Sequence, residues 1–345
     1  MRCIEDTWHL LSGGLVREKI TTARSSSFPR MVRSCRSCCV RIWGSEQRYP
    51  DPLRWIEISK RSIFLRYLIC RRFRPLYEAG FLNQSADMKG LLKHPVRVIA
   101  RLIWLGFELN LAALNFFVYV LIPRNPHSLH ARARWLQAGS RRVLRIFDAE
   151  ILAVGPIPKN GLLISNHLSY LDILILSALT PSIFVAKCEI RKWPVFGLFA
   201  RLAGTLFADR ERRTQVRPLT LEVRAALDHA ALVVLFPEGT SSDGRDVLPF
   251  KSALLEPATN TAFALATSCI QYEVEDGNVA EAVCYWRDMT FGPHLLNLLS
   301  KKRIRAYLRF SNLAERSADR KELARQLRSE ILKLKDLVFK ATPAR

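Results

Sequence analysis

Residues Leu162–Leu176 read LLISNHLSYLDILIL. A nearly unbroken apolar run, fit for a buried strand and then a buried helix, stops in its middle for Asn166, His167 and, five residues after the histidine, Asp172. A core element has no use for these groups. Residues five apart on a regular helix point about 140° away from each other. His167 and Asp172 therefore meet only if the histidine lies in the turn before a helix and the aspartate in its first turn. Ser169 then stands as a candidate N-cap, with Asp172 three residues on in capping-box position, where it serves only the helix start. The chemical alternative is that the carboxylate accepts a hydrogen bond from one ring nitrogen, fixing the tautomer and raising the basicity of the other. No Ser or Cys nucleophile adjoins the pair, so such a base would act on a hydroxyl of the substrate. The chain has no GxSxG, which counts against the usual serine hydrolase architecture.

Around this stretch, strand-like and helix-like segments alternate from residue 150 onward. GLLIS (161–165), SIFVAK (182–187), GTLFADR (204–210), ALVVLF (231–236), AFALATSCIQYEV and RIRAYLRF (303–310) read as strands or hold one. YLDILILSAL, WPVFGLFARLA, TQVRPLTLEVRAALDHA and the closing DRKELARQLRSEILKLKDLVFK read as helices. The alternation predicts an α/β fold with a mainly parallel central sheet flanked by helices, whose chemistry sits at strand exits. NHLSYLD follows the first of these strands, ADR ends the third and FPEGTSSDG follows the fourth, so three polar clusters converge on one sheet edge.

The chain has 345 residues and a formal net charge of +22, which favours polyanions: nucleic acid, anionic lipid or phosphorylated ligands. Aromatic residues do not interleave with the basic ones, and no nucleic-acid signature is present, so no nucleic-acid partner is expected. Cys35, Cys38 and Cys39 form a CxxCC without a second pair, and His127 and His130 a lone HxxH. Neither completes a metal site, and no metal or redox cofactor is implied. Cys188, Cys269 and Cys284 read as reduced core residues.

Composition breaks near residue 88. Residues 1–87 are rich in Arg, Ser and Cys and lack periodicity, while Met88 is followed by basic residues and a long apolar stretch. The expectation is a low-order basic segment at 1–87, upstream of a start at Met88. A membrane-associated helical segment follows at 88–130, then an enzymatic domain at 131–345. About 22 residues between Arg101 and Arg124 approach the length of a spanning helix, but Glu108 at mid-span is costly in hydrocarbon. A helix lying in or dipping into one leaflet is expected, with Lys89, Lys93, Arg97 and Arg101 before it and Arg124, Arg132, Arg134, Arg141 and Arg142 after it. Both basic flanks would face an anionic membrane surface, the cytoplasmic face of the inner (plasma) membrane.

HxxxxD alone is weak, but NHLSYLD, FADR and FPEGTSS in this order resemble the glycerolipid acyltransferase superfamily, whose best-known members are 1-acylglycerol-3-phosphate acyltransferases. AKCEIRKWPVFG supplies the Lys187, Pro194 and Gly197 that the family carries between its first two motifs. The resemblance implies transfer of a fatty acyl group from acyl-CoA or acyl-carrier protein to the free hydroxyl of a lysolipid, 1-acylglycerol-3-phosphate foremost, giving phosphatidic acid. His167 would be the general base and Asp172 its orienting partner. Asn166 would belong to the substrate-binding set; Arg210, and Lys187 as a second candidate, would hold an anionic head group. Glu238, Gly239 and Thr240 would shape the acceptor pocket.

The chain departs from the family in three places. Ser241 stands where an arginine usually follows the threonine, no proline occurs in ATSCIQYEV, and Ala253 replaces a glycine. YWRDMTFGPHLLNLL resembles a subset of bacterial members, some of which acylate lyso-ornithine lipids. Thioester hydrolysis and non-enzymatic membrane binding remain as readings of another class.

Overall fold

The computed structural model describes residues 94–122, 128–208, 216–259 and 262–341. All of them fall in the second of two compact units, Arg71–Arg345. The segment 1–87 and Arg210 lie outside the described residues.

Seven strands form one sheet: β1 (Ala149–Val154), β2 (Gly161–Ser165), β3 (Ser182–Lys187), β4 (Leu206–Ala208), β5 (Leu232–Leu235), β6 (Leu265–Val274) and β7 (Ile304–Asn312), in the order β1-β7-β6-β2-β5-β3-β4. Every neighbouring pair is parallel except β6–β7, which is antiparallel along its length. The fold is thus the mostly parallel α/β arrangement expected, with β1 and β7 running against the rest. β2 and β5 are buried at every residue, as strands covered on both faces must be.

Eight helices surround the sheet among the described residues: α1 (Pro95–Phe116), α2 (Leu129–Ile146), α3 (Leu171–Leu179), α4 (Phe196–Leu202), α5 (Val216–Asp228), α6 (Val279–Ala282), α7 (Phe291–Ser300) and α8 (Arg320–Ala341). Leu144, Leu171, Ile175 and Leu298, from α2, α3 and α7, fill one face of the sheet with Leu163 and Ile270. Val223, Leu227, Leu323 and Ile331, from α5 and α8, fill the other with Ile164 and Val233.

α1 continues through a π-helical turn, Phe117–Leu121, and is long and apolar enough to cross a membrane by length and composition. It packs into the same unit as the sheet, and several basic residues of its two flanks make contacts there. Arg97 donates to the Ser300 carbonyl, and Arg101 to the carbonyls of Leu299, Lys301 and Lys302, so both cap the end of α7. Arg132 donates to Arg201 and Leu202, Arg141 to Ala178, and Arg142 Nε to Glu108 Oε2 at 2.8 Å. Five of the basic residues assigned to a lipid-facing flank are therefore engaged within the fold. Glu108 faces protein rather than hydrocarbon. The outward side of α1 is mostly apolar, with Val96, Ile99, Ile103, Phe107 and Leu114 exposed and Asn110 the polar residue among them.

Candidate active site

The parallel strands β2, β5 and β3 lie side by side, so their C-terminal ends share one edge. His167 follows β2, the Phe236–Ser242 loop follows β5, and Lys187 ends β3, its side chain exposed.

His167 lies in the loop ahead of α3, and Asp172 is the second residue of that helix. His167 Nδ1 is 2.8 Å from Asp172 Oδ2. The same oxygen accepts the backbone N–H groups of Leu168 at 2.7 Å and Ser169 at 3.0 Å. Asp172 therefore caps the helix start and holds the histidine at once; the two alternatives read from the sequence coexist. Ser169 is not the N-cap. That position is Tyr170, and the Ser169 hydroxyl is buried without a partner among the described residues.

The far oxygen, Asp172 Oδ1, accepts from the Tyr272 hydroxyl at 2.6 Å. Tyr272 is on β6, which runs past the end of β2 and so reaches over the start of α3. Burial, with the Asp172 carboxylate against it, pushes the Tyr272 phenol well above its ordinary range, so it remains a donor. Asp172 is 0% exposed, and its charge is met by these four donors. The histidine side chain keeps 21% of its surface. With Nδ1–H given to Asp172, the lone pair is at Nε2. The Phe236 ring stacks on the imidazole at 4.2 Å and 16°, which resists its rotation.

Four of the expected binding residues, Asn166, Glu238, Gly239 and Thr240, lie around the pair. Asn166, expected among the substrate-binding groups, closes its amide on β6. Nδ2 donates to Ile270 O at 3.0 Å and Oδ1 accepts from Ile270 N at 2.8 Å, extending the β2–β6 ladder one step past its last backbone pair. Glu238 was expected to shape the acceptor pocket. Its Oε1 accepts the His167 N–H at 2.8 Å and Oε2 the Leu248 N–H at 3.0 Å, so the carboxylate ties the loop after β5 to the backbone of His167. Burial pushes its pKa up to about 7 against the lowering effect of those two bonds. Ser242 N–H adds a further tie to His167 O at 3.0 Å. Gly239, at φ +73°, turns the loop in the left-handed region that glycine tolerates best, and Thr240 is exposed at its tip. Ser241, where the resembling family carries arginine, donates its hydroxyl to Tyr285 O.

No motif in the sequence marks Phe236 as a stacking partner or Tyr272 as a donor. His294 is fully buried, bonded to Tyr170 Oη and Cys284 O at 3.0 Å each, and burial lowers its pKa to about 4. It stays neutral and structural. Cys269 and Cys284 are buried free thiols as expected, whereas Cys188 is only half-buried.

A buried carboxylate and an oriented imidazole, with no Ser or Cys bonded to that imidazole among the described residues, form a site for general-base chemistry on a bound hydroxyl. Residues 151–271 match the acyltransferase family. A lyso-ornithine lipid O-acyltransferase of Brucella abortus is 36% identical over 207 residues, 55% of this chain and 78% of that protein. A 1-acyl-sn-glycerol-3-phosphate acyltransferase of Neisseria meningitidis is 36% identical over 159 residues, 43% of this chain and 62% of that protein. The crystal structure of the 1-acyl-sn-glycerophosphate acyltransferase of Thermotoga maritima aligns at a TM-score of 0.49 and 17% identity, covering 74% of this chain and all of that one. The protein is an α/β O-acyltransferase. It belongs to the acyltransferase family that contains these lysolipid enzymes.

Proposed function

We propose that the protein transfers a fatty acyl group from a thioester donor, acyl-CoA or acyl-carrier protein, to the free hydroxyl of a lysolipid, 1-acylglycerol-3-phosphate in the first instance. The observation that carries this is the 2.8 Å contact of His167 Nδ1 with an Asp172 oxygen that two backbone N–H groups hold in place. Nε2 takes the proton of the acceptor hydroxyl as that oxygen attacks the thioester carbonyl. The tetrahedral intermediate collapses with cleavage of the carbon–sulfur bond, and the imidazolium returns its proton to the departing thiolate. Asp172 stabilises the imidazolium between the two steps. Lys187, exposed at the strand edge, and Arg210 would meet the anionic parts of acceptor or donor. The exposed apolar side of α1 would rest in the cytoplasmic leaflet of the inner membrane, where the acceptor resides.

A lyso-ornithine lipid is the second reading of the acceptor. It is favoured by Ser241, which turns to Tyr285 O and presents no cation where phosphate recognition would use one. A panel of lysolipids with labelled acyl-CoA, and His167→Ala as the blank, decides among the readings. New diacyl lipid lost by at least about 10²-fold in the variant is the expected result. Free fatty acid without diacyl lipid would mean hydrolysis, and a His167→Ala chain with full turnover would end the general-base reading.

A further inference from the structure

Beyond β3 the chain makes a 3-10 turn, Cys188–Lys192, and enters α4 at Phe196. Gly197 sets how tightly the two pack: a Cβ there would stand 2.5 Å from Arg191 O and 2.7 Å from Ile190 O. At the tip, the Phe196 N–H donates to Pro194 O at 2.6 Å across a three-residue turn centred on Val195. Val195 has φ 60° and ψ −64°, a strained conformation for a β-branched residue. The turn projects apolar groups outward: Val195 is 48% exposed and Leu198 46%, with Pro194 and Phe196 exposed beside them. Just behind stand exposed Arg191 and Lys192, the former with its guanidinium over Phe207. Lys187 is exposed as well, and Glu189 is the one acid of the turn.

An apolar tip with cations one step behind it complements an anionic bilayer, with the tip among acyl chains and the cations at phosphate level. Two continuities support that occupant. On its inner side α4 packs Phe199 and Leu202 with Phe116 and Val120 around Trp135, which places the tip beside the end of the α1 segment, where Phe117, Tyr119 and Ile122 are exposed. Toward the site, the Phe196 ring lies 4.6 Å from Phe291, and Phe291 lies 5.3 Å from Tyr170, three residues after His167.

We infer that Arg191–Leu198 is a second bilayer contact, seating Val195 and its apolar neighbours in an anionic leaflet so that a lipid acceptor reaches His167 along the Phe196–Phe291–Tyr170 wall without leaving the membrane. The route rests on the lysolipid reading; the contact itself does not. The test uses the full chain on vesicles of phosphatidylcholine and phosphatidylglycerol, with timed trypsin digestion read by mass spectrometry. Cleavage after Arg191 and Lys192 should slow by about tenfold or more on binding. Cleavage after Lys159, exposed ahead of β2 at the opposite edge of the sheet, should not slow. Unchanged cleavage at 191 and 192 in vesicle-bound protein would overturn the contact. So would protection that arises without vesicles as protein concentration rises, which would make the tip a contact between copies. A second arm uses the double variant Val195→Asp, Leu198→Asp. Turnover of vesicle-embedded lysolipid should fall by about tenfold while turnover of a short-chain lysolipid dissolved as monomer is retained. Retained turnover on vesicles would overturn the route. The trypsin arm needs no activity, so it stands or falls apart from the acyl-transfer reading.

Discussion

Tyr272 donates its hydroxyl to Asp172 at 2.6 Å from a strand 100 residues further along the chain, so the carboxylate behind His167 is held from both sides. One oxygen is fixed by its own helix start and the other by β6. A carboxylate with one fixed oxygen can still pivot; with both fixed it cannot, and the histidine inherits that rigidity. Tyr272→Phe should therefore cost about 1.5–3 kcal/mol of stability, the range for a hydrogen bond to a charged group. It should also lower kcat by about tenfold with little change in the KM for acceptor, because the residue acts through Asp172. A rise in KM at constant kcat would assign Tyr272 to substrate binding instead.

Asp172→Asn separates holding from charge. An amide can place its oxygen toward His167, Leu168 and Ser169 and its NH2 toward Tyr272, whose hydroxyl can rotate to accept. The fold should survive with a loss of about 1–3 kcal/mol, while turnover falls by about 10²-fold or more because the imidazolium loses its counter-charge. Thermal melts beside steady-state assays read both. A variant with near-native turnover would show that the charge at 172 is dispensable.

The meeting of these groups was legible in unequal measure. The five-residue spacing of His167 and Asp172 is a local relation, and local relations can be read from one segment. The strands β2, β3 and β5 announced themselves by unbroken apolar runs. β1 did not: it is an edge strand that alternates half-buried with exposed residues, and AEILAV carries little signal by itself. The antiparallel course of β7 was hidden too, since the connection from β6 holds two helices and has the length of a parallel crossover. Phe236 and Tyr272 reach the site from β5's exit and from β6, and Asn166 and Glu238 spend their polar groups on backbone atoms that are distant in sequence. Such partnerships are fixed by sheet order, which no single segment specifies. The motif thus marked which residues gather, but not that two of them brace the site from behind.

Glu238 gives the site a pH signature in stability. Its folded pKa is about 7 against an ordinary 4.5, raised by burial. A carboxyl that holds its proton more tightly when folded contributes stability fully below pH 4.5 and loses that contribution as pH rises through about 7. The shift corresponds to roughly 3 kcal/mol at most. Glu238→Gln cannot titrate, and its NH2 must face either His167 N–H or Leu248 N–H, so it starts less stable. The stability gap between wild type and variant should be widest near pH 5 and narrow toward pH 8. His294, whose folded pKa is lowered, contributes equally to both proteins and cancels. A gap that stays constant across that range in paired melts would refute the burial-driven shift.

The pairing of Glu108 with Arg142 decides which way α1 faces. Their 2.8 Å contact turns the helix's one acidic residue inward, against α2, and Trp104 Nε1 lies 3.3 Å from the other carboxylate oxygen. The Glu108 side chain is 9% exposed and that of Arg142 22%. Removing one partner strands a charge at the α1–α2 contact, so Glu108→Leu or Arg142→Leu alone should destabilise by about 3 kcal/mol, the lower end for a buried pair because Arg142 retains some water. Removing both should not. The double variant Glu108→Leu, Arg142→Leu leaves no uncompensated charge and should recover most of the loss. Melting temperatures of the two single variants and the double one, measured in detergent, complete the cycle. If the effects of the single changes simply add, the ion pair is not what docks α1, and its apolar side would no longer be oriented by the fold.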